Sequence, residues 1–93
     1  MSVTIHLPAA LAQYTGGLRD VSLAVGTTTV AGLLDRLAAE QPALERRIRD
    51  ERGAIRRHVN VYIDGEDIRS GAGVGTAVPE GASVSVLAAI SGG

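Results

Sequence analysis

Apolar and polar residues alternate over Val3-Thr4-Ile5-His6-Leu7, the period of a strand with one buried face. Pro8 cannot donate to a ladder and predicts the end of that strand. A connector runs from Ala9 to Tyr14, and Thr15-Gly16-Gly17 supplies turn chemistry. Val21, Leu23 and Val25 then alternate with Asp20, Ser22 and Ala24, so the two segments predict a β-hairpin. The period changes after Gly26 and Thr27. Thr28 or Thr29 can cap a helix, because its hydroxyl accepts a bond from an orphan backbone N–H. Val30, Leu33, Leu34, Leu37 and Ala38 recur at helical spacing on one face, and Pro42 predicts the end near Glu40 or Gln41. Burying each of the four large aliphatics stabilises the fold by about 1.5–3 kcal/mol, so this helix must pack on a sheet.

Residues 43–57 are the polar middle of the chain. Arg46, Arg47, Arg49, Arg52, Arg56 and Arg57 are mixed with Glu45, Asp50 and Glu51, while Leu44 and Ile48 can anchor one helical turn. Such mixing describes a solvated short helix and loop, or a docking patch for an acidic partner. Val59, Val61 and Ile63 alternate with Asn60 and Tyr62 as a third strand. Asp64-Gly65 is a strong hairpin signal, since a type I′ turn needs positive φ at both central residues, and Glu66, Asp67 and Ile68 return as a short strand. Gly71, Gly73 and Gly75 read as a loop, lacking the spacing of a dinucleotide site and the lysine of a phosphate loop. Pro79-Glu80-Gly81 turns the chain into a last strand with Val84, Val86 and Ala88 on one face and Ser83, Ser85 and Leu87 on the other.

The order is strand, strand, helix, two strands, final strand, which predicts an α+β layer with the main helix across one sheet face. The first and last strands share the same alternation and are candidates for neighbours at the sheet centre. Residues 1–88 read as one globular domain and residues 89–93 as a flexible tail.

Composition narrows the chemistry. The 93 residues carry a formal charge of −1, no cysteine and, among nine cations, no lysine. That removes disulfides, thiolate metal sites and a cysteine nucleophile, together with Schiff bases and lysine phosphate loops. Near-neutral charge argues against general nucleic-acid binding. The first residues lack the regions of a signal peptide and no apolar run approaches membrane-spanning length, so a cytoplasmic protein is expected, with no membrane contact. His6 and His58 stand apart without further ligands, so no metal site is expected. No serine, histidine and aspartate follow a nucleophile-elbow pattern, so the chain reads as a non-enzyme.

One feature remains. The chain closes on Gly92-Gly93 directly after a strand-like segment. Together with Thr15-Gly16-Gly17, the run Val59-Asn60-Val61-Tyr62-Ile63-Asp64-Gly65-Glu66-Asp67-Ile68-Arg69 and the ending Val84-Ser85-Val86-Leu87-Ala88-Ala89-Ile90-Ser91-Gly92-Gly93, it resembles the ThiS/MoaD group of ubiquitin-like sulfur-carrier proteins, and within it the CysO-type carriers of cysteine biosynthesis. The resemblance spans nearly the whole chain. It implies a ubiquitin-like β-grasp, a mixed four- to five-stranded sheet with one main helix packed across one face.

The resemblance also implies a function. An E1-like, MoeB-type activating enzyme spends ATP to adenylate the terminal carboxylate, here that of Gly93. A sulfur source converts it to a thiocarboxylate, which a sulfur-acceptor synthase consumes. No cofactor is bound by the carrier itself, and ATP belongs to the partner. A ubiquitin-like modifier joined to target lysines and a plain β-grasp interaction module are the alternatives. An α-carboxyl has a pKa near 3.3–3.7, so Gly93 offers an anionic nucleophile at neutral pH. Five extended residues span at most about 16–18 Å, and glycine at the last two positions lets channel walls close on the backbone. Ordering the tail costs roughly 5–10 kcal/mol, which docking of the body must offset. Leu87, Tyr62 and Ile90 lie on the non-core parity and are candidates for that contact, with Ser91 and Gly92 completing the tail.

Overall fold

Strand β1 spans Val3–His6, with Val3 and Ile5 buried and Thr4 and His6 on the opposite face. After Pro8 the computed structural model, which describes residues 2–88, departs from the expected connector. The chain there is helical: α1 (Ala9–Ala12) runs into a 3₁₀ turn at Gln13–Thr15. Burial of Leu11, Ala12 and Thr15 drives it, an effect of packing that a four-residue segment does not advertise as a period. The Thr15 hydroxyl lies 2.9 Å from the Ala12 carbonyl and 2.7 Å from that of Leu18, and Gly16 ends the turn at φ +70°. Strand β2 (Asp20–Leu23) then pairs antiparallel with β1, His6 facing Asp20 and Val3 facing Leu23.

Helix α2 (Val30–Glu40) is capped at Thr29, whose hydroxyl accepts the Gly32 N–H at 3.1 Å. Its Val30, Leu33, Leu34 and Leu37 form the buried stripe expected from their spacing. Pro42 opens α3 (Pro42–Ile48) rather than merely stopping α2, because a proline at the first helical position gives up no helical hydrogen bond. Leu44 and Ile48 are the two anchors of α3, and neither retains exposed surface.

Strand β4 (Val59–Ile63) and β5 (Glu66–Asp67) flank the turn at Asp64 and Gly65, where φ is +49° and +89° as a type I′ turn requires. Ile68 does not extend β5. It begins a 3₁₀ turn (Ile68–Ser70), because the Asp67 carboxylate accepts the Arg69 N–H at 2.8 Å and caps it. A further 3₁₀ turn occupies Gly73–Gly75 in the glycine-rich loop. The last strand runs over Ser83–Ala88. Ahead of it, Ala77–Val78 pairs antiparallel with Thr28–Thr29, a two-stranded ladder too short for any sequence period to reveal.

In chain order these two short strands are β3 (Thr28–Thr29) and β6 (Ala77–Val78), and the last strand is β7 (Ser83–Ala88). The main sheet has the order β2-β1-β7-β4-β5, with β1 and β7 parallel and every other pair antiparallel. The first and last strands are therefore central neighbours, as their shared alternation suggested. The sheet's apolar face packs against α2 and α3 around Ile5, Leu23, Leu33, Leu37, Leu44, Ile48, Val84 and Val86.

Candidate functional site

Register places Thr4, His6, Asp20, Ser22, Asn60, Tyr62, Ser83, Ser85 and Leu87 on the sheet face away from the helices. Leu87 is the apolar exception among its serine and threonine neighbours, with 49% of its surface exposed. Tyr62 faces Ser85, which puts it diagonal to Leu87, roughly 7–8 Å away across the β4–β7 pair. The structure thus brings these two sequence-predicted contact residues onto one patch, with Tyr62 half-buried. His6, on the same face, holds Asp20 through Nδ1 at 2.7 Å in an exposed pair. Ile90, Ser91, Gly92 and Gly93 lie outside the described residues.

The end of β7 is defined by its neighbours. Parallel pairing puts the C-terminal ends of β1 and β7 side by side, and antiparallel pairing puts the start of β4 there too, with Val59 facing Ala88. The segment leading out of β1, including Tyr14, and the segment leading into β4, Arg56-Arg57-His58, therefore flank the point where residue 89 begins. Arg69 fixes the open edge of β4 at this end. Its guanidinium donates to the Val59 carbonyl at 2.8 Å, to the Arg57 carbonyl at 3.4 Å and to the Asn60 side-chain oxygen. Sequence reasoning did not single out this contact, since nothing local to Arg69 announces carbonyls ten residues upstream.

The polar middle is better ordered than a solvated face. Arg56 closes the end of α3, with its N–H on the Ile48 carbonyl at 2.9 Å and its Nε on the Arg46 carbonyl at 2.9 Å. Arg47 stacks 4.8 Å above the Tyr14 ring. Arg49 departs most from the expectation of exposure: its side chain keeps 12% of its surface and pairs with Glu45 at 3.1 Å and Asp35 at 2.8 Å. Burial acts to lower its pKa, yet hydrogen bonds to Glu45 and Asp35 together raise it above the ordinary arginine value. The Asp50 carboxylate accepts the N–H groups of Ala54 at 3.0 Å and Arg52 at 2.9 Å, and these bonds hold its pKa below the usual carboxylate value. Among the described residues no group of three or more histidine, aspartate or glutamate side chains is placed to hold a metal ion, and no helix is long and apolar enough to cross a membrane.

Against known families, the model of the ThiS family matches residues 5–93. The chain belongs to the ThiS family. It is 39% identical to the sulfur carrier protein CysO of Mycobacterium tuberculosis over the full length of both chains. It is 36% identical to small archaeal modifier protein 1 of Haloferax volcanii, over 91% of this chain and 93% of that protein. Among solved structures, the Amycolatopsis orientalis BexX/CysO complex contains a chain that superposes with a TM-score of 0.85 at 32% identity, covering 98% of this chain and 99% of that one. The fold is accordingly the ubiquitin-like β-grasp, as the element order implied. Proteins of this kind are substrates for other enzymes rather than catalysts, in keeping with the non-enzyme reading of the composition.

Proposed function

We propose that this ThiS-family protein is a sulfur carrier, charged at the α-carboxyl group of Gly93. The observation that carries the reading is the full-length 39% identity to a named sulfur carrier. In the first step a Gly93 carboxylate oxygen attacks the α-phosphorus of ATP on an E1-like, MoeB-type activating enzyme. The bond to the β-phosphate bridging oxygen breaks, leaving an acyl-adenylate and pyrophosphate. A sulfur nucleophile then attacks the acyl carbon, AMP leaves, and the product is a thiocarboxylate. A sulfur-acceptor synthase, in a cysteine-type pathway or one making a specialised sulfur metabolite, consumes it.

The fold suits this use. β7 runs through the sheet centre, held on both sides by β1 and β4, so the body can present a tail from a rigid base. Leu87 and Tyr62, one turn of the pleat away from the tail, supply the apolar contact that helps offset the ordering of residues 89–93. The chain has neither cysteine nor lysine, so no internal thiol or side-chain amine competes for the activated acyl group. The likeness to small archaeal modifier protein 1 favours a second reading, a modifier joined to target lysines after the same activation.

The test is to append one alanine after Gly93 and supply ATP, sulfide and the activating enzyme. Thiocarboxylate formation is expected to disappear while the melting temperature stays unchanged. Normal yield from the untrimmed extended protein contradicts the proposal, and stable isopeptide adducts on lysate proteins favour the modifier.

A further inference from the structure

The charges of the molecule are sorted along β7. At its starting end lie Asp64, Glu66, Asp67 and Glu80, with no cation in residues 63–67 or 79–83. Asp64 is tied to that end directly, its carboxylate accepting the Ser83 N–H at 2.9 Å. About 17 Å further along, at the rise of an extended strand, β7 ends beside Val59. There the neighbours are Arg56 and Arg57, leading into β4, and Arg46 and Arg47 on α3. The bond from Arg56 Nε to the Arg46 carbonyl joins the two segments, and the Arg47–Tyr14 stack joins α3 to the segment that leaves β1. Tyr14, Ala43, Arg46, Arg47 and Arg56 line one continuous hollow of about 320 Å³.

Arg36 and Arg49 spend their charge on Glu40, Glu45 and Asp35, whereas Arg46, Arg47, Arg56 and Arg57 make no ion pair among the described residues. Four cations held together without local carboxylates raise one another's electrostatic energy, a cost an anionic partner removes. The net charge of the whole chain is nevertheless −1, so this is a local field and not a generally cationic protein.

We infer that the arginine ridge of Arg46, Arg47, Arg56 and Arg57 is a docking surface for a protein whose entrance to the tail-binding channel is rimmed by carboxylates. The inference rests on the carrier reading and names the chemistry of its partner. A tail of five residues reaches at most about 16–18 Å, so any surface that admits Gly93 to a reacting centre must come close to the ridge first. The polarity of the body then does two things. The arginine end is drawn toward the acidic rim, and the end bearing Glu66 and Glu80 is repelled from it, so the tail arrives pointing inward.

The experiment measures adenylation by the MoeB-type enzyme of the same genome, through pyrophosphate exchange, as a function of carrier concentration and salt. The variant R46E/R47E/R57E leaves Arg56, which closes α3, in place. It is expected to raise KM at least about tenfold at low salt, to leave kcat within about twofold, and to flatten the salt dependence, as loss of steering charges does. R46Q/R47Q/R57Q, which removes charge without adding repulsion and guards against misfolding, is expected to shift KM the same way by a smaller factor. E66K/E80K at the far end is expected to leave KM unchanged or lower. An unchanged KM and salt slope in both arginine variants, with the unsubstituted chain charged normally, overturns the docking role and leaves the carrier reading intact. An equal KM rise in E66K/E80K overturns it as well, as does an unchanged KM accompanied by loss of retention of a single-stranded RNA in a gel shift, which assigns the ridge to nucleic acid. If the unsubstituted chain is never adenylated, the carrier reading falls and the docking role falls with it.

Discussion

Leu87 is an apolar side chain on a face otherwise built from Thr4, Ser22, Ser83, Ser85, Asn60 and the His6–Asp20 pair. Exposing about half of a leucine on a central strand forgoes burial that the fold uses everywhere else. A role in contact with a partner accounts for that placement. Leu87→Ser matches the chemistry of its strand neighbours, so the thermal midpoint is expected to move little, within the range of about 0.5 kcal/mol usual for surface substitutions. KM for the activating enzyme is expected to rise about tenfold, equivalent to roughly 1.4 kcal/mol of lost contact. Steady-state kinetics beside a melting curve separate the two effects, and a large loss of stability with normal KM would mark Leu87 as structural.

At the scale of elements, α3 joins core and surface. Ile48 and Leu44 fasten it, Arg56 closes its end, and Arg46 and Arg47 project from it. Ile48→Ala is expected to cost about 2–5 kcal/mol, measurable as a lower urea midpoint, because a fully buried aliphatic leaves a cavity when truncated. The sequence revealed α2 nearly to the residue, because five apolar positions at helical spacing, a threonine cap and a following proline all agree. It revealed the β4–β5 turn for a similar reason, since Asp64-Gly65 has one favoured geometry. It did not reveal α1 or the β3–β6 ladder, whose four and two residues are shorter than any readable period. Nor did it reveal the buried pairing of Arg49 with Asp35 and Glu45. One of those carboxylates lies on α2, and only tertiary packing of α3 against that helix sets it against Arg49. The outward patch was half legible: parity gave Leu87 and Tyr62, while their closeness needed the β4–β7 register.

For the molecule as a whole, the parallel β1–β7 pair has the largest functional consequence. It sends the last strand through the sheet centre and out beside the start of β4, so the arginine ridge, the Leu87–Tyr62 patch and the origin of residues 89–93 share one end of the body. Acidic groups gather at the other end. A body with a rigid central strand, an apolar contact and a directed field suits a protein handed between enzymes, because surface contacts and steering charges release as readily as they engage. An absence of cysteine and lysine then becomes a functional property: the chain's reactivity is confined to its α-carboxyl group. The most direct measurement is the intact mass of the unmodified chain after incubation with ATP, sulfide and its activating enzyme. The carrier account predicts that the mass increases by the difference between one sulfur and one oxygen atom, localised to Gly93. A chain that is adenylated or left untouched, but never gains that difference, contradicts it.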